Sequence, residues 1–392
     1  MIRHSLKYMW NQKRKNLFLI LELFLIFTVI LLSGTYFIEK IALYMEGTGL
    51  ETDHCHYLEI SNSNEDWKND PELMNRVKEA IRQVPGVEAV SMTKGASPFI
   101  FNYNGHLFAY EEKQQQLGIK QCDDQYDEVL HPNLIKGRWF EAKDTLSTIQ
   151  PIVLNRLAVQ KMFGDEEALG KRIRTKYQSY EIVGIIKRFK RDEYDNENAV
   201  AFLPITTSSW TSSGRTDYLI RLEEGRRFPM QGIHKAVFQI LAPKEFIIHK
   251  MSSFASMKEK ANQFTGNDVL TAALIIGFLV FNLFLGLMGI LGYKVKQRKA
   301  EIAIRRSTGA STRSIRKMIL LETYLITLMG VIPSILLVVQ IPALEIFPLS
   351  WKLFLQSTGA ALVIIIVMVF LSVLVPARQA AKIEPAQALK EE

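Results

Sequence analysis

Three clusters in this 392-residue chain combine residue types that could do chemistry. "DHCH" at 53–56 sets His54 and His56 two residues apart, which on a strand puts both imidazoles on one face. The spacing permits a metal site, though histidines that are simply surface or half-buried are far commoner. "FGDEEALGKR" at 163–172 has the outline of a phosphate loop. However, five residues separate Gly164 from Gly170 rather than four, and Arg172 stands where a magnesium-binding hydroxyl belongs. Three acids also occupy the phosphate ground, so it is rejected, and nothing else in the chain offers a nucleotide site. Cys55 and Cys122 are the only cysteines, and in an oxidising compartment they could form a disulfide. Neither has a nameable catalytic partner. The seven histidines and the scattered serines show no triad spacing, so no catalytic residue is assigned.

The fourth candidate is "RKAEIAIRRSTGASTRSIRKMILLE", 298–322, strongly basic and set between two greasy segments. What positions it is a set of four apolar blocks, Leu17–Phe37, Val269–Tyr293, Met318–Ile341 and Thr358–Val375. They explain a mean hydropathy of +0.05 beside a pI of about 9.2. Each is long enough to cross a hydrocarbon layer of roughly 30 Å as a helix. A helix is the expected form because bare backbone polar groups are not tolerated in lipid. The first block follows a basic start, but its apolar run is too long for a cleaved signal peptide and no small-x-small site follows, so it reads as a retained anchor. Ile2, Leu6, Met9 and Trp10 precede it at helical spacing, as in an interfacial amphipathic helix.

Basic residues set the orientation. Five lie in 1–16, nine in 294–317 and three after Val375, against Lys352 alone between the third and fourth blocks. With four spans, both termini and the basic loop fall in the cytoplasm and residues 39–268 fall outside. That segment is close to charge-balanced, with 30 basic and 33 acidic residues. The chain therefore divides into 1–38, 39–268 and 269–392.

The external segment is large enough for a real core. "CHYLEIS", "DPELMNRVKEAIRQ" and "PGVEAVSM" read as strand, helix and strand, with Asp70 as N-cap and Pro71 at the first helical position. "DYLIRLE", "PMQGIHKAVFQIL" and "KEFIIHKM" repeat the pattern near the far end. Such units at both ends imply an α+β sandwich closed by returning chain. Between them, "PIVLNRLAVQKMFG" reads as strand and helix, and "KRIRTKYQSYEIVGIIKRF" as a hairpin. We read this as a subdomain inserted at about 135–210. Residues 253–268 read as a polar helical stalk.

In the spans, Ala273, Gly277, Gly286, Gly289 and Gly292 permit close helix approach, and Pro333 permits a kink. Glu22 and Glu322 are costly unless they face protein or water. In the basic loop (294–317), Lys294 to Thr308 has no breaker, Gly309 suits a helix C′ position, and Ser311 or Thr312 can cap a new helix. The spacing predicts a short helix, a tight turn and a helix leading into the third span. Ile302 and Ile304 fall on opposite sides of the short helix, which implies two contacts, one with the membrane or own helices and one with a partner. Charges this close to the bilayer, without an aromatic platform, argue against nucleic-acid binding.

Three motifs carry a family resemblance: "EIAIRRSTGAS" with "ILLE" after it, "VPARQAAKIEPAQALKEE", and "GRWFEAKD…PIVLNRLAVQKMFGDEEALGKRI…YEIVGIIKRF". Together, and in this order, they resemble the MacB/FtsX-type permeases of ABC transporters. The resemblance implies a non-catalytic permease subunit in a bacterial inner membrane, with a porter-like external fold and an inserted subdomain. It implies a dimer with a second permease, identical or related, and two ATPase subunits that bind ATP and magnesium. Because the chain begins almost at its first span, the ATPase is expected on a separate polypeptide. Residues Glu301 to Ala310 would form the coupling helix, with Glu301, Ile302, Ile304, Gly309 and Ala310 in its surface and Arg305 and Arg306 as charge partners. The implied action is mechanotransmission to the external domain, which would meet an envelope partner, lipoprotein, peptide or drug. The rival from another class is a membrane-anchored sensor or scaffold with a ligand-binding external domain. It lacks a cytoplasmic output domain, and three spans after the external segment exceed what anchoring needs.

Overall fold

The computed structural model describes residues 13–61, 71–100, 104–146, 149–205, 215–242, 246–346 and 349–381. The amphipathic start at Ile2–Trp10, the Asp70 cap and the C-terminal Pro385–Leu389 motif lie outside these residues. In chain order, α1 is Lys13–Glu46, β1 Cys55–Ser61, α2 Pro71–Arg82, β2 Val87–Lys94, β3 Gly105–Tyr110 and β4 Lys113–Cys122. Then come α3 Tyr126–Leu130, β5 Leu134–Gly137, β6 Gln150–Asn155, α4 Arg156–Phe163, β7 Arg172–Arg174, β8 Ser179–Ile186 and β9 Val200–Pro204. The chain continues with β10 Arg215–Leu222, α5 Met230–Leu241, β11 Ile247–Ser253, α6 Phe254–Gln297 and α7 Lys299–Ser307. It closes with α8 Thr312–Val338, α9 Gln340–Ala343 and α10 Trp351–Ala381. Two compact units result, Leu43–Thr265 and Met1–Ala42 with Gly266–Glu392.

In the first of these, the core domain, the two strand–helix–strand units interleave. The order β11-β1-β10-β2 is antiparallel throughout, so each unit supplies alternate strands. Alternation sends Leu58, Ile60, Tyr218 and Ile220 to one face, where they meet Val77 and Ile81 of α2 and Ile233, Val237 and Leu241 of α5. On both helices these positions recur every four residues, which makes one apolar stripe. The domain is closed by returning chain because β1 is unpaired on either side until β10 and β11 arrive.

The other half of the domain is a ring of six strands. The order β4-β3-β7-β8-β6-β9 closes through a parallel β9–β4 pairing from Gly118↔Val200 to Cys122↔Pro204. Closure removes free edges. The Arg172–Arg174 and Ser179–Ile186 strands form the expected hairpin. The ring takes in β3 and β4, so its strands run from Gly105 to Pro204 rather than starting near 135. The partners of β3 and β4 are remote in sequence, and local pattern does not announce them.

Two candidate sites dissolve here. His54 sits in the turn before β1 at φ 59°, so it does not share a strand face with His56. The His56 ring stacks on Phe228 at 4.1 Å, and among the described residues no three His, Cys, Asp or Glu side chains cluster as a metal set. Cys55 and Cys122 are buried and not bonded to each other. The Cys55 thiol points to the Val129 carbonyl at 3.3 Å, and burial pushes it up to about 12, which makes it inert. "FGDEEALGKR" is the link from α4 to β7, and its Glu166 and Glu167 pair with Lys171 and Lys136.

Four helices, Leu19–Glu46, Phe254–Gln297, Thr312–Ala343 and Trp351–Pro376, each contain an apolar run long enough to cross a membrane. Leu19, Leu23, Phe27 and Ile30 of α1 pack with Leu283 and Leu287 of α6, Ile319 and Ile326 of α8, and Ile365 and Val369 of α10. Within each set the residues fall three, four or seven apart, on one face of the helix. Glu22 does face a neighbouring helix, for its carboxylate lies against Gly286. At Gly330 the backbones of α8 and α1 come so close that a methyl group would stand 2.8 Å from Leu23 Cβ and 2.9 Å from the Ile20 carbonyl. Next to it, the Ser334 hydroxyl donates to the Phe24 carbonyl at 2.8 Å. Pro333 lies inside α8, which continues to Val338.

Two predictions follow from this packing. Gly330→Val should separate α1 from α8 and lower the thermal midpoint of the detergent-solubilised protein, whereas Gly289→Val, with open space around it, should not. In the core domain, burial pushes the Asp217 carboxyl up to about 6, while the Tyr57 hydroxyl donates to it at 2.7 Å. The fold thus favours protonated Asp217, a contribution fully present below pH 3.8 and lost as pH rises through about 6. The shift corresponds to about 3 kcal/mol. Asp217→Asn keeps the acceptor for Tyr57, so it should be more stable than the parent at pH 8 and equal to it near pH 4. Melting curves at both pH values would show this.

Candidate coupling surface

The basic loop forms from local signals. Helix α6 ends at Gln297, Arg298 breaks the run, and α7 begins at Lys299. Helix α7 closes in a Schellman turn: the Ala310 N–H reaches the Arg305 carbonyl at 2.9 Å, and Gly309 takes φ +94°. An L side chain is strained at that φ, which is why glycine stands there. Ser311 then caps α8, its hydroxyl accepting from the Ser314 N–H at 3.2 Å.

The two isoleucines take opposite fates, as their spacing implied. Ile302 is 1% exposed and joins the apolar bundle, with Ala303 fully buried beside it. Ile304 is 53% exposed. Ser307, Thr308 and Gly309 are also exposed, so among the described side chains the outer corner of α7 is formed by uncharged residues ending at the turn.

The charges are less free than their sequence suggests. Arg298 gives two hydrogen bonds to the Glu301 carboxylate, at 2.8 and 3.0 Å, and a third to Glu322 at 2.6 Å. Arg305 donates to Glu301 at 2.9 Å, so Glu301 holds two guanidinium groups. The hydrogen bonds from Arg298 hold the Glu301 carboxyl below its usual range. Arg298 and Glu322 are only 14% and 17% exposed, walled by Leu291, Val295, Ile302, Ile319 and Ile326. Arg305 is therefore engaged within its own helix, while the Arg306 side chain lies outside the described residues. Sequence reasoning flagged the cost of Glu322 but missed Arg298 as its partner. The spacing Arg298-Glu301-Arg305 (i, i+3 and then i+4) was the available signal for the rest of the network.

Known proteins were compared with this chain. Residues 38–230 match the model of the MacB-like periplasmic core domain, and residues 273–385 that of the FtsX-like permease C-terminal region. An uncharacterized ABC transporter permease of Bacillus subtilis, YvrN, is 24% identical over 337 residues, which is 82% of this chain and 80% of that protein. A macrolide export ATP-binding/permease protein, MacB of Wolinella succinogenes, is 24% identical over 72% of this chain. The chain spans only 45% of that protein's length. Among solved structures, the periplasmic region of MacB from Actinobacillus actinomycetemcomitans aligns with 54% of this chain and 94% of its own. The identity there is 13% and the TM-score 0.38.

Arg298→Ala should leave the Glu322 carboxylate without its partner in an apolar wall, a change that costs about 3–5 kcal/mol for buried pairs. Replacing both partners, as Arg298→Met with Glu322→Leu, should restore most of the loss. Thermal unfolding of the solubilised variants measures both, and a double variant no better than the single one would show that the pair does not hold this junction.

Proposed function

This chain belongs to the MacB/FtsX-type family of ABC transporter permeases, and we propose that it relays the work of a separate ATPase to its core domain. The observation that carries the proposal is the construction of α7. One face, through Ile302 and Ala303, is keyed into the bundle, and the other, at Ile304 and Ser307–Gly309, is open. A helix fixed on one side by apolar packing and by the Arg298–Glu301–Glu322 network moves with its spans. A push on its open corner would be transmitted to α6 and α8, between which it is tied.

In this reading the open corner of α7 docks in a groove of the ATPase, and ATP and magnesium are held by that partner. A second permease, identical or related, completes the assembly. The surplus of Lys and Arg at the termini and in 294–317 supports a reading in which these segments are cytoplasmic and the core domain external, in the inner membrane of a bacterium. The core domain would then act on an envelope partner or on a lipoprotein, peptide or drug that leaves the membrane.

The test is Ile304→Glu in the tagged full-length chain, with co-purification of an ABC ATPase and the ATP turnover of the complex as readouts. Ile304 is open to solvent, so the change should spare folding. We expect loss of the ATPase from the preparation and a fall in turnover of about ten-fold or more, the size of a lost interface anchor. Unchanged co-purification and turnover would sink the docking assignment.

A further inference from the structure

The β8–β9 connection in the core domain contains a lysine where none is expected. Lys190 is 1% exposed, yet its ammonium meets carbonyls at short range. It donates to Leu43 at 2.6 Å and to Glu193 at 2.7 Å. Leu43 lies in the last turn of α1, where four carbonyls lack helical partners and the helix dipole is negative. Arg188 reaches the same turn, donating to the Glu46 carbonyl at 3.1 Å and pairing with its carboxylate at 3.3 Å. The Tyr194 ring lies 5.1 Å from that of Tyr44, and the Lys190 N–H donates to the Thr48 carbonyl.

Three residues after Lys190, Glu193 faces the other way. Its carboxylate accepts from Lys258 and from Asn262, each at 2.6 Å. These residues are one turn apart on the first turns of α6. The Glu193 side chain is 11% exposed, whereas that of Lys258 is 41% exposed. The far end of the connection is anchored to the ring, where Asn155 donates to Glu197 and to the Asn198 carbonyl, each at 2.8 Å.

We propose that Arg188–Tyr194 is a strap that locks the last turn of α1 to the first turns of α6 and ties both to the strand ring. Neither helix end can then turn or slide without carrying the other and the ring. The inference rests on the relay reading above, for it names the place in the core domain where helix motion would be collected. Its logic is electrostatic: the buried ammonium is held by one helix carbonyl, Leu43, and one carbonyl of the connection, Glu193, so withdrawal of α1 would strip a buried charge of one of these two partners.

The test places spin labels at Met45→Cys and Phe264→Cys, both of which are highly exposed positions, in the full-length chain in lipid nanodiscs. Cys55 and Cys122 are buried and stay unlabelled. Without nucleotide, the strap should give a single narrow distance distribution. Lys190→Met should broaden it about two-fold or more as the local lock opens. Lys258→Met with Asn262→Leu, which removes only the helix side of the strap, should do the same, and it decides the matter should Lys190→Met not fold. A distribution as narrow in that double variant as in the parent would overturn the strap. This readout needs no ATPase. A narrow parent distribution that opens in the variants, in a chain that binds no ATPase, would therefore refute the relay reading while leaving the strap in place.

Discussion

Water is absent from the bilayer core, and most of this architecture follows from that. A chain entering lipid must satisfy each backbone N–H and C=O within its own segment, so the four apolar runs are helices. Helices so constrained have few polar groups with which to recognise one another. They meet instead through packing, as at Gly330, and through single hydroxyls such as Ser334 on the Phe24 carbonyl. Polar chemistry is pushed to the helix ends, where backbone groups run out of partners. It is at these ends that the informative contacts of this protein lie.

Two such ends show the same solution in different places. At the α6–α7 junction, Arg298 occupies the break in the helix and gathers Glu301 and Glu322, one local and one from the next span. At the end of α1, Lys190 and Arg188 take carbonyls that no helical N–H can reach. In each case a cation at a helix end holds groups from two elements and fixes them relative to one another. Apolar packing alone would let such helices slip, because burial is non-directional, whereas a charge held by several short hydrogen bonds defines one position.

The core domain solves a different problem. Its two strand–helix–strand units come from opposite ends of the segment, and neither buries its sheet face alone. Interleaving them as β11-β1-β10-β2 gives α2 and α5 a common surface and brings the entry and exit of the domain into one sheet. The six-strand ring joins that sheet by the short β2–β4 pairing at Thr93 and Lys94 and by a shared apolar core in which Tyr57 and Leu219 pack with Val200, Phe202 and Phe254. The β8–β9 connection adds a polar tie between ring and helix ends.

Features that depend on neighbours in the chain were legible from residues alone. The four spans, the amphipathic stripes of α2 and α5, the β7–β8 hairpin and the helix–glycine–cap sequence from Lys299 to Thr312 each need only a window of ten to twenty residues. That Ile302 and Ile304 face opposite ways also followed from helical phase, while which of them is buried was set by the neighbouring helices. The family resemblance added the expectation of a coupling role for that helix, which no spacing could supply. What only the tertiary structure decided were partnerships across long separations. Glu322 lies 24 residues from Arg298, and Lys190 lies 147 from Leu43. The strands β3 and β4 owe their place to partners as distant as Val200. A charged side chain in sequence has no direction, and its partner is set by which backbones pack together. For the same reason His54 and His56, adjacent by pattern, were parted by one residue in a left-handed turn.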